Sequence, residues 1–148
     1  MKAAIDENLP TVLAKVLHPL AELHGHEVVH VTDLVKKGTK DPQVFAAIGK
    51  AGISVHITQD HHHRKLVERE VIAGSGLIVF VLAAGWADQS IFEKTSRLIR
   101  WWPLMMEHAQ RMRPPAVFRV PWQIRGKGQF ETIRNVQRAK SKNINRSQ

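Results

Sequence analysis

One short run limits this chain more than any other: LIVFVLA, Leu77 to Ala83, with no polar side chain in it. A strand with one wet face alternates apolar and polar residues. A strand in the middle of a parallel sheet is covered on both faces and reads as a continuous apolar stretch. Extended to Trp86, the run is still too short to span a bilayer as a helix. Parallel neighbours need long crossover connections, usually helical. The rest of the chain must therefore supply strands and helices in alternation.

The remaining pattern meets that demand. Ala3 to Ile5 read as a short buried strand, followed by a helix over Asn8 to Leu23 with Leu9, Val12, Leu13, Val16, Leu17, Leu20 and Leu23 at helical spacing. Pro19 is expected to kink or divide that helix. Glu27 to Val31 form a second strand. Asp41-Pro42 opens a helix, with Asp as the cap and Pro in the first turn. Its apolar stripe is Val44, Phe45, Ile48 and Ala51, and Gly52 ends it. Ile53 to Ile57 form a third strand that runs into Thr58, Gln59 and Asp60.

Arg64 to Ala73 read as another helix, before the apolar strand at Leu77. Ser90 to Met112 are helical, with Ile91, Phe92, Leu98, Ile99, Trp102, Met105 and Met106 on one side and Trp101 near the surface. Pro103 is expected to break this helix in two. Ala116 to Val120 give a fifth strand. Gln123–Ile124 and Gln129–Ile133, around Arg125-Gly126-Lys127-Gly128, have the form of a hairpin. Strand–helix alternation of this kind specifies a three-layer α/β/α sandwich with a mostly parallel sheet of about five strands. Residues 1–133 make one domain and residues 134–148 a basic, flexible tail.

Composition narrows the chemistry. The 148 residues contain no Cys, which removes disulfides and thiolate zinc sites and is compatible with a cytoplasmic setting. Lys and Arg exactly balance Asp and Glu over residues 1–110, so the net charge of +9 resides in residues 111–148. A neutral body with a basic end is attracted to phosphates or to an acidic protein; the plainer reading is a solvated tail. Asp60 is followed by His61, His62 and His63, a run that a regular element cannot aim at one metal ion; an exposed loop is the simpler assignment.

Carboxylates recur where strands end. Asp6 follows the first strand, Asp60 the third, and Asp41 opens the helix leading into the third. In a parallel α/β sheet these places share the C-terminal edge, where ligands bind near the reversal of strand order. Carboxylates that converge repel one another unless a cation is present, and all-oxygen ligands suit Mg²⁺ or Mn²⁺. Such an ion activates water and neutralises charge on a phosphate. Taken singly, Asp41 and Asp6 also read as helix caps, Asp60 as a loop residue, and Glu7 as a charge complementing a helix dipole.

The segments IDENLP and KDPQVFAAIGKAGISVHITQD, with the apolar strand that follows, resemble short PIN-domain proteins. Within that group they are most similar to the PIN-like toxins of VapBC-type toxin–antitoxin systems. The resemblance covers roughly residues 2–120 and rests on order, spacing and several short motifs. It implies a Mg²⁺- or Mn²⁺-dependent ribonuclease that hydrolyses RNA phosphodiesters with metal-activated water. Asp6, Asp41 and Asp60 would bind the metal, supported by Thr58 and Glu7, and an antitoxin protein would block the site. A further acid common in PIN nucleases has only Glu7, Asp33 and Asp88 as candidates. Arg64, Lys65, Arg125 and Lys127 are candidate contacts to RNA phosphate, against the simpler reading as solvated charges. The RWWPLMME stripe reads mainly as core, with a homodimer through this helix as the alternative.

Two other functions fit part of the pattern. A non-catalytic PIN-like nucleic-acid binder would need only the basic end. A phosphoryl-accepting receiver domain would use acids after the first strand and Asp60. The receiver reading lacks a Ser or Thr after the Leu77 strand and a Lys at the end of the fifth, and it leaves Asp41 without a role.

Overall fold

The computed structural model describes residues 1–59, 76–126 and 128–133. The helix expected over Arg64 to Ala73 and the tail from residue 134 lie outside them. The elements are β1 (Lys2–Ile5), α1 (Thr11–Glu22), β2 (Glu27–His30), α2 (Asp41–Lys50), β3 (Val55–Thr58), β4 (Ile78–Leu82), α3 (Ile91–Arg111), β5 (Ala116–Val120) and β6 (Glu131–Thr132). One six-stranded sheet has the order β2-β1-β3-β4-β5-β6. Every pairing is parallel except that of β5 with β6. The expected mixed α/β architecture with a mostly parallel sheet is thus the one found.

Period-two alternation divides the core into two layers. Ala3, Ile5, Val55, Ile57, Ile78, Phe80 and Leu82 pack with Leu13 and Leu17 of α1 and with Leu98, Trp101 and Met105 of α3. Ala4, Val79, Val81 and Val117 face the other way, onto Val44, Phe45 and Ile48 of α2. All five residues of β4 are buried, which is why its sequence carries no alternation.

Both prolines sit inside unbroken helices, contrary to the sequence-based expectation. Pro19 lies within α1 and Pro103 within the 21-residue α3. Each is exposed. An interior proline costs about 3 kcal/mol, but burial of each large apolar side chain returns about 1.5–3 kcal/mol. Around Pro103 there are four such side chains: Trp101, Trp102, Met105 and Met106 are all buried. The apolar part of the RWWPLMME stripe is therefore mainly core.

Trp101 also corrects the expectation that it lies near the surface. It is fully buried because Phe130 packs on it at 5.1 Å between ring centroids. Phe130 comes from the segment leading into β6, which pairs with β5 rather than with Gln123–Ile124 as a local hairpin. Phe92, grouped with the apolar stripe of α3, is instead 84% exposed.

The turn before β6 depends on Gly128. Its φ is +80°, and a Cβ there would stand 2.6 Å from Leu104 Cδ1 and 3.2 Å from Trp101 Cζ3. Left-handed backbone costs an L-residue about 1–2 kcal/mol. Gly128→Ala is expected to destabilise the protein by at least about that amount, read as a lower urea midpoint with unchanged slope.

His108 of α3 is wedged against Phe118 and Phe130, at centroid distances of 4.5 and 4.8 Å. Burial, and secondarily the Arg111 guanidinium, lower its pKa below the ordinary histidine value. The folded state thus favours the neutral ring. Its contribution to stability is complete above about pH 6.5 and is lost as pH falls through the lowered folded pKa. His26, also lowered, adds in the same direction. His108→Leu is expected to flatten the fall in thermal midpoint between about pH 7 and pH 5, leaving the part due to His26.

Candidate active site

The sheet order reverses between β1 and β3, since β2 lies to one side of β1 and β3 to the other. Ligands of open α/β sheets bind beyond the strand C-termini at such a point. Asp6 follows β1 there, and its backbone N–H continues the ladder to the carbonyl of Ile57 at 2.9 Å. The alternation that turns Ala4 toward α2 turns Asp6 the same way, together with His56 and Thr58 of β3.

Those two residues hold the carboxylate. His56 Nε2 lies 3.2 Å from Asp6 Oδ1, and the Thr58 hydroxyl donates to Asp6 Oδ2 at 3.2 Å. The His56 side chain is 2% exposed and that of Asp6 18%. The Phe45 ring of α2 meets the imidazole edge-on at 5.5 Å. His56 Nδ1 is buried without a hydrogen-bond partner, so the arrangement selects the tautomer with its proton on Nε2, aimed at Asp6.

The residues after Asp6 join the neighbouring strand ends. Asn8 Nδ2 donates to Thr58 Oγ1, and Asn8 Oδ1 accepts from the backbone of Gln59, both at 3.4 Å. The Leu9 carbonyl accepts from buried His30 Nε2 at 2.7 Å, at the end of β2. Glu7 accepts the Gly38 N–H at 2.9 Å. This corrects the reading of Glu7 as a dipole charge: α1 begins only at Thr11, after Pro10, and has no acid in its first turn. Glu7 instead anchors the loop that leads to α2.

Asp41 is the first residue of α2, on the layer toward which Asp6 and His56 point. It is not the expected cap. Lys40 occupies the cap position, no side chain bonds the helix start, and the Gln43 and Val44 amides go to the Lys40 carbonyl. Asp33 is committed elsewhere, since its carboxylate accepts from the His30 amide in a local capping box. Asp88 is exposed. Among the described residues no cluster of three or more His, Asp or Glu side chains is close enough to hold a metal ion. Asp60, Arg64, Lys65 and Lys127 lie outside those residues, and Arg125 is exposed in the turn after β5.

A model of a family described as a PIN like domain matches residues 1–84. The chain belongs to the PIN-like domain family. The PIN-like match runs from β1 past β4 and takes in Asp6, Asp41, Thr58 and Asp60. No curated protein and no solved structure matches the chain.

Three contributors to this PIN-like edge escaped the sequence reading. His56 was readable in principle, because it stands two residues before Thr58 in a strand and so on the same face. Asn8 was assigned to the first helix but turns back to β3. Lys94, whose ammonium lies 3.2 Å from Gln59 Oε1, is unreadable without knowing that α3 starts beside the end of β3.

Glu7→Ala is expected to loosen the loop before α2 while leaving the sheet intact. Hydrogen exchange should speed up at Gly38, with a stability loss of about 0.5–1.5 kcal/mol. Unchanged protection of Gly38 would show that the loop holds without Glu7.

Proposed function

We propose that this chain is a metal-dependent endoribonuclease acting as the toxin of a VapBC-type toxin–antitoxin pair. The observation that carries the proposal is Asp6: a carboxylate at the β1/β3 reversal, oriented through both oxygens by His56 and Thr58. PIN-like folds are of nuclease type, and the chain's membership gives that carboxylate its meaning.

The residues suit a hard divalent cation. Asp6, with Asp41 and Asp60, would supply oxygen ligands for Mg²⁺ or Mn²⁺. Hydrogen bonds that fix a ligating carboxylate are the usual outer support of such a site, and His56 and Thr58 make them. When bound, the ion supplies neutralisation of charge on the phosphodiester and activation of water. The chain's own contribution is orientation. His56 and Thr58 restrict the rotation of Asp6, Asn8 ties the loop after β1 to Thr58 at the end of β3, and Glu7 steadies the approach to Asp41. The substrate is RNA, and the partner is an antitoxin that covers this edge.

The order β2-β1-β3-β4-β5 is also that of receiver-type sheets, which favours phosphoryl acceptance at Asp60 as a second reading. Family membership weighs against it. A third reading keeps RNA binding and drops the chemistry.

Cleavage of single-stranded RNA should require Mn²⁺ or Mg²⁺, stop with chelator, and fall by at least about 100-fold in Asp6→Asn, the scale on which one preorganised electrostatic group acts. Thr58→Val should lower the rate while retaining the fold. Metal-dependent cleavage that persists in Asp6→Asn would refute the assignment. Labelling of Asp60 by a small phosphodonor would establish the receiver, and salt-sensitive binding without cleavage the non-catalytic binder.

A further inference from the structure

The first turns of α3 carry two cations, Lys94 and Arg97. Among the described residues, neither Lys94 nor Arg97 forms an ion pair with an acid, whereas Arg111 pairs with Glu107 and Arg119 with Glu131. Lys94 is half-buried, and its hydrogen bond goes to a neutral amide oxygen, that of Gln59 at 3.2 Å. Gln59 in turn bonds Asn8, which bonds Thr58, which bonds Asp6. The ammonium thus stands at the end of an amide relay from the candidate active-site carboxylate.

Arg97 lies three residues further along α3, on the same face. Its guanidinium carbon is 4.5 Å from the centre of the Trp122 ring. Trp122 follows β5 at the same sheet edge and packs edge-on against Trp86 at 4.9 Å. Trp86, just after β4, is fully buried and anchored by its indole N–H to the Val120 carbonyl at 3.0 Å. Even Gly85 participates: a Cβ there would lie 3.3 Å from Trp122 Cβ. A guanidinium backed by a fixed indole is a planar, positively charged platform.

We propose that Lys94, Arg97 and Trp122 form a binding track for single-stranded RNA along the C-terminal edge, leading to Asp6. Lys94 contacts a backbone phosphate next to the acidic corner. Arg97, flattened on Trp122, stacks against a neighbouring base; unpaired bases stack on guanidinium planes as well as on aromatic rings. The proposal deepens the ribonuclease reading by adding a substrate path, and it rests on that reading only for the identity of the strand.

The test measures binding of a fluorescein-labelled oligouridylate of about ten nucleotides to the full chain carrying Asp6→Asn, with no divalent ion present. Cleavage is then not read at all, so failure of the nuclease reading and failure of the track are separate results. Lys94→Gln should weaken binding and flatten the dependence of log affinity on log salt by about 0.7, whereas Arg97→Gln should weaken binding with little change in slope. Arg97→Lys should keep the slope yet lose affinity, because lysine retains charge but not the plane. Trp122→Ala should weaken binding by about tenfold with the slope unchanged, and Trp122→Phe, which retains an aromatic backing, should recover most of it. An unaltered slope in Lys94→Gln, or unaltered affinity in Arg97→Gln, would overturn the track. So would equal affinity for a hairpin duplex of the same length, or no binding of the oligonucleotide.

Discussion

The contact between the Asp6 carboxylate, just after β1, and the end of β3 organises the C-terminal edge of this sheet. A parallel sheet leaves strand C-termini to diverge into separate loops, and something must gather them. Here the four residues from Asp6 to Leu9 do so. Asp6 engages His56 and Thr58, Glu7 reaches Gly38, Asn8 holds Thr58 and Gln59, and the Leu9 carbonyl receives His30. Leu9 itself is buried in the α1 layer. One short loop therefore closes onto the ends of β2 and β3 and onto the loop before α2.

His56 shows what this gathering costs. Its Nδ1 is buried with no partner, and an unsatisfied buried polar atom is unfavourable by about 1–3 kcal/mol. A leucine would pack against Phe45 without that loss. An imidazole offers in return a rigid N–H donor fixed by strand register, aimed at one oxygen of Asp6. In the proposed ribonuclease reading, this penalty in the core serves to orient the carboxylate of Asp6. A merely structural aspartate at a strand end could be satisfied by loop amides.

The layered fold was legible because β4 and the helical stripes record burial directly. The strand order was legible only in part: alternation implies a parallel sheet, but nothing local says that β3 joins β1 rather than β2. Asp6 was legible as a strand-end acid, and Asp41 as the start of a helix. The two prolines misled because their local cost is visible and the burial of Trp101, Trp102, Met105 and Met106 that outweighs it is not. Trp101 misled for a similar reason, since its cover, Phe130, is 29 positions further along the chain. Glu7 looked like a helix charge because the helix, expected from Asn8, starts only at Thr11, after Pro10.

Charge placement at the edge follows the same logic of separation. An ammonium bonded to a neutral amide keeps its charge available to a phosphate. Gln59 accepts from the Lys94 ammonium, and its backbone N–H donates to Asn8, which in turn supports Thr58. Arg97 is kept from acids in a different way, by lying on Trp122, a contact that favours a cation without neutralising it. Among the described residues, Lys94 and Arg97 thus stand on the edge that carries Asp6 without pairing with an acid. A phosphodiester, which needs a cation at its oxygens and an oriented carboxylate site nearby, is the type of ligand that such separation suits.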